Sequence, residues 1–325
     1  MRYLLRRIGF YTVTAWAAIT LNFFIPRLMP GNPVELLISH FKGRISPAAV
    51  KSLGALFGLS HQSIASQYVT YWSDLVHGNL GISFTYFPSS VTSVVLAALP
   101  WTLILVGVAT IISFVLGTVV GVIVGSRRGS WMDASLPIST FFSAIPYFWF
   151  ALVILYFLAI VVHWFPLSGG YASTALIGWN WSFVVSAAYH AVLPAVTIIV
   201  TSIAGWLLGM RNMMIVTLNE DFIVLAEAKG LSKSRINFVY AARNAVLPSL
   251  AGFALSLGFV VSGAILVEIV FSYPGIGYVL FAAVNNVDYP LMQGVFLIIT
   301  LAVLLANIVA DVFYVMLDPR TRQGA

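Results

Sequence analysis

Charged side chains, the groups that could do acid–base or ionic chemistry, are concentrated in one stretch of this chain, residues 216–247. The stretch carries seven of the chain's 26 charged residues. They are Glu220, Asp221, Glu227, Lys229, Lys233, Arg235 and Arg243. A polar segment between two apolar runs either contacts a soluble partner or only fixes the orientation of the flanking helices. Charge alone leaves both interpretations open.

The rest of the chain offers no catalytic constellation. It has no cysteine, so disulfides and thiol nucleophiles are excluded. The five histidines show no ligand-like spacing, and the GxxxxGK[ST], HExxH and GxSxG motifs are absent. We therefore predict that the chain is not an enzyme and holds no metal or cofactor of its own.

Composition predicts the environment that must position the charged stretch. Hydrophobic residues make up 60% of the chain, charged residues 8%, and the mean hydropathy is +0.98, whereas soluble domains carry about 25% charged residues. Spanning a hydrocarbon core takes about 20 helical residues, and lipid leaves no water for unpaired backbone groups. The fold class is predicted to be an all-α polytopic membrane protein. The net charge of +6 is explained by loops at the membrane surface, so no nucleic acid partner is expected.

Six transmembrane helices are predicted from the apolar runs, at residues 8–28, 101–124, 134–162, 193–215, 248–271 and 291–317. Three regions follow: an N-terminal arm and first helix (1–28), an extracytoplasmic segment (29–100), and a helical core (101–325) that contains the cytoplasmic loop 216–248. In the extracytoplasmic segment, helices over 46–57 and 61–76 are expected to form a small cap.

The distribution of basic residues predicts the orientation. With the N-terminus inside, the inner segments carry twelve of the sixteen Lys and Arg residues. The outer segments carry Arg27, Lys42, Arg44 and Lys51. The positive-inside rule therefore favours cytoplasmic termini and a cytoplasmic 216–248 loop.

Charges inside the predicted helices are few. Glu268 and Asp311 lie close to the ends of their helices, where we expect them to be hydrated. A carboxylate at mid-depth, expected of a proton- or sodium-driven carrier, is missing, so energy for transport would come from a partner. The Gly117/Gly121 spacing favours close helix packing.

Within the charged loop, the sequence predicts a helix over 221–229, a break at Gly230 and a second helix that begins at Ser232. This arrangement can present Phe222, Leu225, Ala226 and Leu231 to a soluble partner.

Short motifs along the whole chain resemble those of one family. The loop reads AEAKGL at 226–231 and RNAVLP at 243–248, and the outer segments read PGNP at 30–33, GNLGIS at 78–83, FSYPGIG at 271–277 and DYP at 288–290. In this order they resemble the permease subunits of bacterial ATP-binding-cassette importers of the dipeptide, oligopeptide and nickel family. The long outer segment resembles the first of the two permeases in such systems.

The resemblance implies the fold of a type I importer permease in the bacterial plasma membrane. Its partners would be a second permease, two ATP-binding-cassette ATPase subunits or domains and an extracytoplasmic substrate-binding protein. ATP and Mg²⁺ would be bound by the ATPases, and the loop would couple them to the pathway. The implied coupling residues are Asp221, Ala226, Glu227, Ala228, Lys229, Gly230, Leu231, Arg243 and Asn244. We expect Ala226, Ala228 and Gly230 to be small so that the partner can approach closely.

Short peptides are the cargo that the resemblance implies, and in such systems the binding protein largely sets the selectivity. The alternatives are an importer permease for nickel or another solute, a stand-alone channel or secondary carrier, and a purely structural membrane subunit.

Overall fold

The computed structural model describes residues 2–30, 63–127, 129, 135–258, 260 and 264–317. In these residues the chain is helical, and the β pairing recorded there is an isolated bridge between Ile82 and Ser90. The helices are α1 (Arg2–Arg27), α2 (Ile64–Val76), α3 (Val91–Ser126), α4 (Ser135–Ala144), α5 (Tyr147–Ile154), α6 (Trp181–Thr217), α7 (Asp221–Ala228), α8 (Lys233–Arg235), α9 (Ala242–Gly258), α10 (Ile265–Val270), α11 (Ile276–Asn285) and α12 (Tyr289–Leu317). Two π-helical segments, Leu155–Val161 and Ile236–Ala241, continue α5 and α8.

Four helical stretches among the described residues are long and apolar enough to cross a membrane: α3, α6, the α8–α9 stretch Lys233–Leu257 and α12. The α4–α5 pair, bent by 96°, makes a fifth if it is one span. The prediction of an all-helical, multi-pass membrane protein is confirmed. α1 is 26 residues long, and it is not among these stretches.

Two predicted helix starts are wrong. α3 begins at Val91 rather than 101, and α6 begins at Trp181 rather than 193. Pro100 and Pro194 lie inside these helices, since neighbouring groups in a membrane protein can compensate for the hydrogen bond that proline removes. α4 and α5 meet at a 96° bend beside Pro146, the N-cap residue of α5.

The predicted fifth span, 248–271, also differs from the structure. The helix there starts earlier, through α8, and α9 ends at Gly258, while α10 is a separate short helix. The apolar outer segment that follows forms α11.

The described chain divides into two compact units, of which the first comprises residues 1–101 and 274–304. In this unit α2 packs on the end of α1. Thr20 Oγ1 and Tyr68 Oη are 2.8 Å apart, and Arg27 Nε donates to Gln67 Oε1 at 3.2 Å. The helix predicted over 61–76 is thus confirmed as α2, whereas the one predicted over 46–57 lies outside the described residues. The predicted division into 1–28, 29–100 and 101–325 stays a prediction.

A buried carboxylate, that of Asp288, joins two segments of the first unit. Asp288 Oδ2 accepts hydrogen bonds from Ser83 Oγ at 2.6 Å and from the backbone N–H of Thr85 at 2.8 Å. Its Oδ1 accepts from the backbone N–H of Leu291 at 3.1 Å and so caps α12. Burial raises the pKa of the nearby Tyr86, with further contributions from Tyr278 and Asp288. The GNLGIS motif, through Ser83, is therefore hydrogen-bonded to the DYP motif, through Asp288.

The second unit comprises residues 102–273 and 305–324. In this unit α3 and α6 approach each other closely where α3 carries glycines. A Cβ on Gly117 would lie 2.6 Å from Trp206 Cβ, and one on Gly121 would lie 2.7 Å from the carbonyl oxygen of Leu207. The close packing predicted for Gly117 and Gly121 is confirmed. Helices α4, α5 and α9 also pack on α6.

Glu268 lies in α10 and is fully buried, so the expectation that it is hydrated is wrong. Thr102 Oγ1 on α3 donates a hydrogen bond to Glu268 Oε1 at 2.6 Å. The carboxylate thus lies in a packed contact of the second unit, where a hydroxyl compensates part of the cost of burial. The side chain of Asp311 lies outside the described set.

Candidate docking segment

The charged loop of the sequence folds into a defined segment, from α7 to the first turn of α9. Its inner side is an apolar cluster that contains Ile223 and Ala226 of α7, which are 2% and 3% exposed. The other buried members come from α3, α6, the second π-helical segment and α9: Val122, Met210, Met214, Ile236, Ala241 and Ala245. Burial of these side chains stabilises the position of α7 against the ends of two long helices.

The end of α7 is closed by a Schellman motif, the hydrogen-bond pattern that commonly ends helices. The N–H of Gly230 donates to the carbonyl of Glu227 at 2.8 Å, and the N–H of Leu231 donates to the carbonyl of Ala226 at 3.3 Å. Gly230 has φ of +71°, the left-handed conformation that the motif requires. Leu231 packs against the same cluster that contains Ala226. The AEAKGL stretch thus forms a helix end that is held in place by the packing of Leu231 against the apolar cluster.

The next helix, α8, begins at Lys233. Ser232 is the N-cap of α8, and its Oγ accepts from the N–H of Arg235 at 3.4 Å. The predicted break at Gly230 and start at Ser232 are both confirmed. The helix then continues through the π-helical segment Ile236–Ala241 into α9, so α7 is tied directly to a long helix of the core.

The outer side of α7 combines apolar and charged groups. Phe222, Val224 and Leu225 are exposed, Leu225 to 56%. Asp221 at the start of α7 and Glu227 near its end are also exposed. The acid at Asp221 lies in the first turn, where the helix dipole stabilises negative charge. Apolar side chains flanked by charge on a rigid helix are suited to binding another protein.

The structure divides the predicted site residues between the two sides. Exposed are Asp221, Glu227, Ala228, Lys229, Gly230, Arg243 and Asn244. Asn244 Nδ2 donates to the carbonyl of Tyr240 at 2.9 Å, within its own helix. Ala226 is buried and Leu231 is partly buried. The small size of Ala226 is therefore explained by packing inside this chain, which corrects the reason given from the sequence.

Three residues of the segment were missed at the level of sequence. Ile223 and Ile236 are buried anchors, and Val224 belongs to the outer side. Ile223 lies three positions before Ala226 and so shares its face of α7, but residues 222–226 are all apolar, and the sequence therefore carried no signal for which face is buried.

The segment carries no arrangement for bond-making chemistry. Among the residues that the structure describes, no group of three or more His, Cys, Asp or Glu side chains could hold a metal ion. What the geometry supplies is a firmly held surface with mixed apolar and ionic character.

Comparison with known families gives a match over much of the chain. Residues 117–323 match the family described as "Binding-protein-dependent transport system inner membrane component". The matched region includes the whole candidate docking segment.

Individual relatives are similar over nearly their full length. The di/tripeptide transport system permease protein DppB of Pseudomonas aeruginosa is 33% identical, with 99% of each chain covered. The dipeptide transport system permease protein DppB of Escherichia coli is 32% identical, with 99% of each covered. The oligopeptide transport system permease protein AppB of Bacillus subtilis is 31% identical, with 92% of each covered.

Proposed function

This chain belongs to the family of inner membrane components of binding-protein-dependent transport systems, and from that premise we propose that it is the permease subunit of an ATP-driven importer of short peptides. The peptide cargo rests on the names of its relatives, which are di/tripeptide, dipeptide and oligopeptide permeases. The chain would form half of the pathway, with a second permease as the other half.

The observation that carries the coupling proposal is the outer side of α7. An apolar surface on a helix whose inner side is already buried needs a partner. The partner we propose is an ATP-binding-cassette ATPase, one of two beneath the membrane. ATP and Mg²⁺ are then held by the ATPases, and an extracytoplasmic binding protein delivers the peptide.

Transmission follows from the way the segment is built. α7 shares its apolar cluster with α3 and α6, and the backbone continues from α8 into α9. A displacement of α7 by an ATPase therefore moves helices that cross the membrane, because a packed cluster transmits displacement rather than absorbing it. Lys229, Arg243 and Asn244 are exposed and would supply polar contacts to the partner.

The proposed topology has six spans with both termini in the cytoplasm. They are α1, α3, the bent α4–α5 pair, α6, the α8–α9 stretch and α12. This arrangement places the docking segment in the cytoplasm and the cap between the first two spans outside.

The test removes apolar surface from the outer side of α7 in the assembled complex. We expect the double change Phe222→Ser, Leu225→Ser to weaken ATPase association, since truncating a central interface side chain costs more than about 1 kcal/mol, or roughly fivefold to tenfold in affinity. The measurements are ATPase co-purified with the tagged chain and binding-protein-dependent uptake of a labelled tripeptide.

The matched control is Leu116→Ser. Leu116 is 47% exposed on α3, away from the docking segment, so the same change there should leave ATPase association intact. Uptake that persists without any associated ATPase would contradict the proposal and favour a secondary carrier or channel. Uptake of Ni²⁺ but not of peptides would agree with the coupling proposal and would contradict the proposal that the cargo is a short peptide.

A further inference from the structure

The loop between α5 and α6, residues 162–180, carries an unusually exposed set of apolar side chains. Trp179 is fully exposed, and Leu176, Ile177 and Trp181 are exposed to between 74% and 84%. Together with Trp164 and Leu167 they form what we call the apolar face of the α5–α6 loop. These side chains are large and apolar, and all except Trp181, the first residue of α6, lie in a segment that is not itself a spanning helix.

The loop that carries these exposed side chains is itself held in place by hydrogen bonds and a ring contact. On its other side, the N–H of Gly169 donates to the carbonyl of Phe271 at 2.9 Å, and the N–H of Ala172 donates to Ser186 Oγ at 2.8 Å. The ring of Tyr171 lies 5.2 Å from that of Phe183. These contacts hold the loop against α6 and the residue that follows α10, and they leave the apolar face exposed.

Charge is absent from this part of the chain. Residues 134–210 contain no Asp, Glu, Lys or Arg. Soluble protein surfaces are rich in charge, and a large apolar patch left in water marks a contact with protein or membrane. A soluble binding protein that comes and goes would leave this face in water for much of the time, whereas lipid is always present beside a membrane helix.

The length of α6 places the loop at the right depth. Trp181 and Arg211 lie at opposite ends of its uncharged part, about 45 Å apart along the axis at about 1.5 Å per residue. A bilayer with its headgroup layers is about 40–45 Å thick. When Arg211 lies in one interface, Trp181 lies in the other, which is the depth that tryptophan prefers. Val184 and Val185, one turn further along α6, are also exposed and continue the apolar surface.

We propose that the apolar face of the α5–α6 loop is immersed in the interface between lipid headgroups and acyl chains. The loop is then a membrane-anchored element that fixes the ends of α5 and α6 at that surface. The partner is the lipid bilayer, and the tryptophan N–H groups bond to headgroup or water oxygens.

The natural absence of cysteine allows single spin labels to be placed in the full chain. Labels at Ile177→Cys and Trp179→Cys would be compared in phosphatidylcholine–phosphatidylglycerol vesicles with two reference sites. Val108→Cys lies on the exposed side of α3, and Asn219→Cys lies in the turn after α6. We expect the loop labels to collide with oxygen as the Val108 label does and to be protected from a water-soluble nickel chelate. Nickel access equal to that at Asn219 would overturn the proposal, as would protection that appears only when a binding protein is added.

A second measurement needs no label. Native tryptophan fluorescence would be quenched by phosphatidylcholine with bromine atoms close to the headgroup. The double variant Trp179→Phe, Trp181→Phe should lose a shallow quenched component that the parent chain shows. An unchanged quenching profile, with the variant's melting temperature equal to the parent's, would place both rings outside the lipid and overturn the proposal.

Discussion

Gly230 separates α7 from α8 because its backbone has φ of +71°, a conformation that is easy for glycine and strained for residues with a Cβ atom. No atom lies within 4 Å of the place where a Cβ would be. The requirement for glycine therefore comes from the backbone, and closeness of packing within this chain has no part in it. This conformation explains the predicted helix break at Gly230, while the expectation that Gly230 is small so that a partner can approach stays a prediction.

We expect Gly230→Ala to destabilise the helix end by about 1 kcal/mol, because alanine resists the left-handed conformation. Gly230→Asn should cost less, since asparagine adopts that conformation more readily than other residues. The measurement is thermal unfolding of the detergent-solubilised chain, followed by fluorescence. We expect the melting temperature to be highest with Gly230, lower with Asn and lowest with Ala. Equal losses for both variants would instead indicate that any added side chain disturbs this site.

At the scale of elements, the prediction from sequence succeeded where a local signal ends or starts a helix. Gly230 and Ser232 fixed the boundary between α7 and α8. It failed where proline lies inside a long helix, as at Pro100 in α3. It also failed to assign the two sides of α7, because residues 222–226 are all apolar and so have no periodicity from which to read a buried face.

The packing of α3 on α6 depends on glycines of α3, which have no side chain to keep the two helices apart. A Cβ on Gly121 would lie 2.7 Å from the carbonyl oxygen of Leu207 and 2.8 Å from Met210 Cβ. Gly121→Ala must push the helices apart, and overpacking of this kind typically costs about 1–3 kcal/mol. Met210 also belongs to the cluster that holds α7, so we expect both a lower melting temperature and weaker ATPase association.

The matched control lies on the same helix. A Cβ on Gly107 would meet no atom within 4 Å, so Gly107→Ala should leave the melting temperature unchanged or raise it slightly, since alanine is the better helix former by about 1 kcal/mol. If both variants behave alike in thermal unfolding, close contact at Gly121 is not what sets the stability of this helix pair.

At the scale of the whole molecule, composition was sufficient for the class of protein but not for the count of its spans. Mean hydropathy and the scarcity of charge indicated a multi-pass helical protein, and the described helices agree. The number of crossings depends on whether α1 and the bent α4–α5 pair each span the bilayer. α1 has 26 residues, enough for a span, whereas the α4–α5 pair is bent by 96° and could cross or turn back.

Orientation therefore calls for a direct measurement, and the chain is well suited to it. With the spans at the positions predicted from the sequence, twelve of the sixteen Lys and Arg residues lie in segments on one side of the membrane, and basic loops are retained on the cytoplasmic side. Single cysteines at Thr70→Cys on α2 and Ser234→Cys on α8 are both exposed helical positions in a cysteine-free chain. We expect a membrane-impermeant maleimide to label the first in intact cells and the second only after permeabilisation, with the parent chain unlabelled throughout. Labelling of both from outside would show an even number of crossings between them, and the reverse pattern would place α7 outside, where no ATPase can reach it.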